Sequence, residues 1–97
     1  THAIQPITYS GSMAVAHQRL LAIIQALPRT TLITNEANYL HVEFRSRLFR
    51  FVDDVEFYLD DTHHLIHFRS ASRLGRGDLG VNRKRMEEIR QRFMAAS

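Results

Sequence analysis

The sequence has no cysteine, which excludes a disulfide framework, a thiolate metal site and a cysteine nucleophile within these residues. No apolar run approaches the ~20 residues that a membrane-spanning helix needs. The sequence opens in ordered-looking residues without a signal-peptide pattern. Lysine is nearly missing as well: twelve of the thirteen basic residues are arginine, the side chain suited to bidentate recognition of carboxylate or phosphate. Only two prolines and four glycines punctuate the chain. They fall at Pro6, Gly11 and Pro28, and then in a tight group at Gly75, Gly77 and Gly80.

What is present describes a small folded domain. Ninety-seven residues, 44% hydrophobic and 24% charged, fit one globular unit over residues 1–97 and exclude disordered and fibrous classes. Charge is uneven along the chain. The formal total is +3, but residues 41–68 are acidic and residues 69–97 carry eight bases against three acids. Such asymmetry fits an anion-binding end, or an acidic middle paired with a basic end inside the same molecule.

The chain begins with a short extended segment at Ile4, Pro6, Ile7 and Tyr9, kept at an edge or outside the ladder by Pro6. Ser12 then serves as N-cap for an amphipathic helix with Met13, Ala16, Leu20, Ile23, Ile24 and Leu27 at helical spacing, stopped by Pro28. From Thr30 the period changes to two. A strand over Thr30–Thr34, a turn at residues 35–38, and a half-buried strand with Leu40, Val42 and Phe44 pointing inward follow. A third strand runs through Phe49, Phe51, Val55, Phe57 and Leu59, interrupted at Asp53-Asp54, and residues 60–63 form a hairpin loop. The fourth strand, His64 to Ala71, turns Ile66 and Phe68 inward.

A final helix starting near Val81 or Asn82 carries Met86, Ile89 and Phe93 as its apolar stripe, with Asn82 and Arg85 beside it. This order predicts an α+β two-layer sandwich, an antiparallel sheet of about four strands with two helices on one face. The other face would carry Glu43, Arg45, Glu56, Tyr58, His67 and Arg69.

Between the last strand and the last helix, residues 69–85 gather six basic residues and three glycines. One reading is a nest of backbone amides at a helix N-terminus, surrounded by arginines, which is an anion-binding geometry. The other is structural: Asp78 caps the helix, the glycines supply special backbone angles, and the arginines pair with Asp53, Asp54 or Glu56. The glycine spacing matches neither a Walker loop nor the dinucleotide fingerprint.

The histidines at 63, 64 and 67 do not make a metal site, because His64 and His67 fall on opposite faces of a strand. No cofactor is implied. Nucleic-acid binding would need the basic C-terminal third plus Tyr39 or Tyr58 for stacking, and is disfavoured by the near absence of lysine and by acids interleaved in the helix. Ser70 or Ser72, His67 and an aspartate supply the residue types of a hydrolytic triad without any motif that would place them.

The runs Phe51-Val-Asp-Asp-Val-Glu-Phe57, Arg69-Ser-Ala-Ser-Arg-Leu-Gly75 and Asp78-Leu-Gly-Val-Asn-Arg-Lys-Arg85 resemble the bacterial and plastid family called domain of unknown function 1499. The resemblance covers nearly the whole chain. It implies no established activity, and it implies association with the cell envelope or periplasm, since many family members carry a membrane segment or lipoprotein-type leader upstream. Its characteristic positions fall here on Asp53, Asp54, Glu56, Arg69, Ser70, Ser72, Arg73, Gly75, Asp78, Gly80, Asn82 and Arg85.

The expectation is a non-catalytic binding or accessory domain that contacts an anionic small molecule or protein partner. Its ligand-binding residues would be Arg69, Ser70, Ser72, Arg73, Asp78, Asn82 and Arg85, with Asp53, Asp54 and Glu56. It requires a cleft lined by Arg69, Arg73 and Arg85 in which at least one arginine lacks a carboxylate. The alternative is a hydrolase-like enzyme using His67, Ser70 or Ser72 and an aspartate.

Overall fold

The first helix, α1, spans Met13–Ala26 in a computed structural model that describes residues 5–47, 51–73 and 79–96. Its start follows from Ser12, whose Oγ accepts a hydrogen bond from the Val15 amide at 3.2 Å and satisfies one of the orphan donors of the first turn. Ala16, Leu20 and Ile24 then recur on one face and are fully buried. Pro28 cannot extend the helix. The chain leaves it through Leu27, whose amide closes on the Ile24 carbonyl at 3.0 Å.

Five antiparallel strands follow the order β1-β5-β4-β3-β2: β1 Ile7–Thr8, β2 Thr30–Glu36, β3 Tyr39–Arg45, β4 Val52–Asp60 and β5 Leu65–Ser72. The α+β class and the two helices match the expectation, and the described residues form five strands where about four were expected. The added strand is the N-terminal segment after Pro6. It pairs with β5 at the sheet edge through Ile7 opposite Ile66. Two residues are too few to show a periodicity, so only the edge position was foreseeable from Pro6.

The Asp53-Asp54 pair does not break its strand, contrary to expectation. β4 runs through it without a register shift, with Asp53 opposite Phe44 and Asp54 opposite Glu43 on β3. Both carboxylates find cationic partners on their own side of the sheet, which removes the cost that aspartate otherwise imposes on a strand. The expected turn at residues 35–38 is shorter: Glu36 still pairs with Tyr39. A bulge between Leu32 and Thr34 leaves Ile33 half-exposed and without a partner on β3. Phe49 lies outside the described residues.

The second helix, α2, spans Leu79–Ala95, beginning two or three residues earlier than its apolar stripe suggested. Met86, Ile89 and Phe93 are buried, as is Asn82 one turn before Met86. These residues join Ala16, Leu20 and Ile24 of α1 and the inward residues Ile7, Leu40, Val42, Phe44, Val55, Phe57, Leu59 and Ile66 in one core cluster. Both helices therefore cover the same face of the sheet. Arg90 fastens α2 to the edge segment by donating from Nη1 to the Pro6 carbonyl at 3.0 Å.

Candidate functional site

Strand alternation divides the expected site between the two faces of the sheet. Asp54 and Glu56 point to the open face, opposite Ala71 and Arg69 on β5, while Asp53 and Val55 point to the helices, opposite Ser72 and Ser70. Arg69 and Arg73 therefore share the open face with Asp54 and Glu56. Ser70, Ser72 and Asp53 lie on the side of Asn82 and Arg85. Asp78 is outside the described residues. The cleft lined jointly by Arg69, Arg73 and Arg85 does not form, because a sheet stands between Arg85 and the other two.

None of those three arginines lacks a carboxylate. Arg73 makes a two-point contact with Asp54, Nε to Oδ2 and Nη2 to Oδ1 at 2.9 Å each, and also reaches Glu43. His41 Nε2 lies 2.9 Å from the same Asp54 Oδ1. The hydrogen bonds from Arg73, and then that from His41, hold the Asp54 carboxyl down to about 2 although partial burial opposes them. The neighbouring Glu56 accepts from Tyr39 at 2.6 Å and from Tyr58 at 3.2 Å, which lowers its pKa and raises that of Tyr39 to about 12. Arg69 is the loosest member, 3.6 Å from Glu56 and 75% exposed along its side chain.

Arg85 occupies the other face under different conditions. Its Nη1 donates to Asp53 Oδ2 at 3.1 Å and to Asn82 Oδ1 at 2.8 Å, and its guanidinium sits 4.6 Å from the centre of the Phe44 ring. Little of either partner reaches water, with 15% and 18% of the two side chains exposed. The site expected from sequence is thus two separate ion-paired networks, one wet and one nearly dry.

The hydrolytic arrangement is not assembled. His67 is exposed on the open face, 3.8 Å from Asp60, while Ser70 and Ser72 face the helices, and the Ser70 hydroxyl is buried without a hydrogen-bond partner. Asp60 is drawn mainly to His63, whose hydrogen bond lowers the carboxyl's pKa. Among the described residues no group of histidines and carboxylates could hold a metal ion, and no helix is long and apolar enough to cross a membrane. Tyr39 and Tyr58 pack on one another at 5.0 Å with both hydroxyls on Glu56.

A surface cleft lies where the segment after α1, the end of β3 and α2 meet, with a volume of about 480 Å³. Leu27, Pro28 and Phe44 supply its apolar wall. The rest is cationic. Arg45 pairs with Glu43, Arg85 with Asp53 and Arg92 with Glu88, the only acid in the lining, whereas Arg29 and Lys84 have no carboxylate partner among the described residues. Arg29 adopts a left-handed backbone conformation, φ 58°, which L residues other than glycine rarely hold. Its carbonyl accepts from the Arg45 amide at 2.9 Å and its Nε donates to the Arg45 carbonyl at 3.3 Å, leaving the two terminal nitrogens free.

Residues 1–93 match the family described as Protein of unknown function (DUF1499). The chain belongs to the DUF1499 family. No curated protein and no solved structure matches it. Of the DUF1499 positions named above that fall among the described residues, Arg85 alone lines the cleft. That Arg29, Arg45, Lys84 and Arg92 share a cleft is not legible in the sequence, because nothing in their spacing brings them together. The one local signal was Arg29 itself, a bulky residue placed directly after a helix-stopping proline.

The open-face network of this DUF1499 domain predicts a definite pH response. Asp54 and Glu56 are both held below the ordinary carboxylate range, so their contribution is complete above that range and is lost as pH falls through their lowered values, which for Asp54 is about 2. An Arg73→Met variant should melt below the parent at pH 7, and the gap should narrow as pH falls below about 4 and close only below about 2, where Asp54 protonates in the folded state. A gap of constant size in melting curves across that range would mean that Arg73 acts through packing and not through the Asp54 charge.

Proposed function

We propose that this domain is a non-catalytic binding module that takes an anionic ligand in the cleft between the segment after α1, the end of β3 and α2. The observation that carries the reading is the pair of unpaired cations there. Every other cation lining the cleft is paired with a nearby carboxylate, whereas Arg29 and Lys84, without a carboxylate partner among the described residues, leave two positive charges beside an apolar wall. An unpaired guanidinium with two free terminal nitrogens is a ready donor set for a carboxylate or phosphate.

The backbone of Arg29 supports the same reading. A glycine would hold φ 58° without strain, and arginine costs roughly 1 kcal/mol more at such a position. Strain retained at a residue with free donors is what a binding role leads one to expect. The family resemblance makes the bacterial envelope the compartment in which to seek the ligand.

The test separates binding from stability. Arg29→Gly should leave the melting temperature unchanged or raise it, while abolishing the stabilisation that millimolar inorganic phosphate gives the parent at low ionic strength. Lys84→Gln, on an exposed helix position, should weaken the phosphate response without altering the melt. If phosphate and sulfate fail to stabilise the parent, or stabilise Arg29→Gly equally well, the cleft is not an anion site.

A further inference from the structure

The cleft's composition says more about the ligand than its sign. We infer that it takes an organic phosphate monoester, a doubly charged head carrying an apolar body, and this rests on the anion-binding reading above.

Two features choose the class. Among the described residues the uncompensated charge of the lining amounts to Arg29 and Lys84, since Arg45, Arg85 and Arg92 each face a carboxylate. A phosphate monoester carries about −1.5 to −2 at pH 7 and offers three acceptor oxygens, enough to satisfy both cations at once. A single carboxylate would leave one of them unmatched. The second feature is the wall. Leu27 is half-exposed and Pro28 exposed, and they adjoin the free head of Arg29, so an anion bound there lies against apolar surface that inorganic phosphate could not use. At about 480 Å³ the cleft is within the range of small-molecule sites and far larger than a bare phosphate needs.

The Arg85 assembly fits the same ligand. Its guanidinium is fixed between Asp53, Asn82 and the Phe44 ring, so it is spent on holding the floor and is not a third head-group ligand. Such a floor is rigid before any ligand arrives, which reduces the ordering that binding must impose. The head group thus meets Arg29 and Lys84 over a base already held by its own hydrogen bonds.

Calorimetric titration of the full chain with inorganic phosphate, hexyl phosphate and hexanoate tests this directly. Hexyl phosphate should bind at least tenfold more tightly than inorganic phosphate, since each buried methylene contributes about fourfold. It should also bind more tightly than hexanoate. Pro28→Ser should remove most of the hexyl advantage while leaving inorganic phosphate unchanged. Equal affinities for hexyl and inorganic phosphate would overturn the inference and leave the anion site standing, whereas no binding of any of the three would overturn both. Co-sedimentation with phosphatidic acid vesicles, against phosphatidylcholine vesicles as control, separates the two sources of this chemistry. Retention on the acidic vesicles supports a lipid head group, and hexyl phosphate binding without retention supports a free metabolite.

Discussion

An Arg85→Met variant is expected to melt about 15 °C below the parent, corresponding to a loss of about 3 kcal/mol, while Arg69→Gln stays within about 0.5 kcal/mol of it. Both residues are arginines paired with one carboxylate of β4, so the difference lies in their surroundings. Methionine preserves most of the Arg85 volume and its packing on Phe44. What it removes is the cation, which strands Asp53 on the helix-covered face and leaves the Asn82 side-chain oxygen without its donor. Arg69 instead stands three-quarters exposed beside Glu56, where water and salt replace it readily.

The pair of melts also decides what the arginine-rich segment is for. A large loss at position 85 with none at 69 assigns Arg85 to the architecture of the cleft floor and Arg69 to a solvated surface. The double variant Asp53→Asn with Arg85→Met should recover part of the loss, because it removes the buried charge that the single change exposes. If Arg85→Met melts with the parent, the Asp53 contact contributes nothing, and the dry network described here is not the tie between α2 and the sheet.

Much of the architecture was legible because its signals are local. The α1 stripe, the Ser12 cap and the alternation of β3 each follow from a few neighbouring residues, and the same alternation placed Glu43, Glu56, Tyr58, His67 and Arg69 together on the open face. The candidate site was less legible for two physical reasons. Parity along β5 already put Ser70 and Ser72 with Ile66 and Phe68, on the face away from Arg69. The runs of polar residues nevertheless read as one site because chemical type was weighed above strand geometry. The cleft was beyond local signals altogether, since Arg29, Arg45 and Lys84 meet only after β2 pairs with β3 and α2 folds back over the sheet. Asp53-Asp54 misled for a related reason: two adjacent acids suggest a bend unless the cations awaiting them on opposite faces are known.

The largest loss is expected from Phe57→Ala. Phe57 is fully buried on the central strand β4, flanked in register by Leu40 of β3 and Phe68 of β5, with its ring 6.2 Å from that of Phe68. Truncation there removes the side chain's transfer energy and leaves a cavity that a pleated sheet pinned by neighbours on both sides cannot close, so the cost should be about 4 kcal/mol. Against a total of roughly 5–15 kcal/mol for a domain, such a loss moves the urea midpoint far to the left and populates unfolded chain at growth temperatures. Phe57→Leu, which keeps most of the volume, should cost less than about 1.5 kcal/mol and should retain phosphate binding, because Phe57 does not line the cleft. A loss from Phe57→Ala below 1 kcal/mol in urea unfolding would show that the helices are not seated on this face of the sheet. The cleft would then fall with them, since its walls are the segment after α1, the end of β3 and one side of α2, and only that packing sets Arg29 and Lys84 around one cleft.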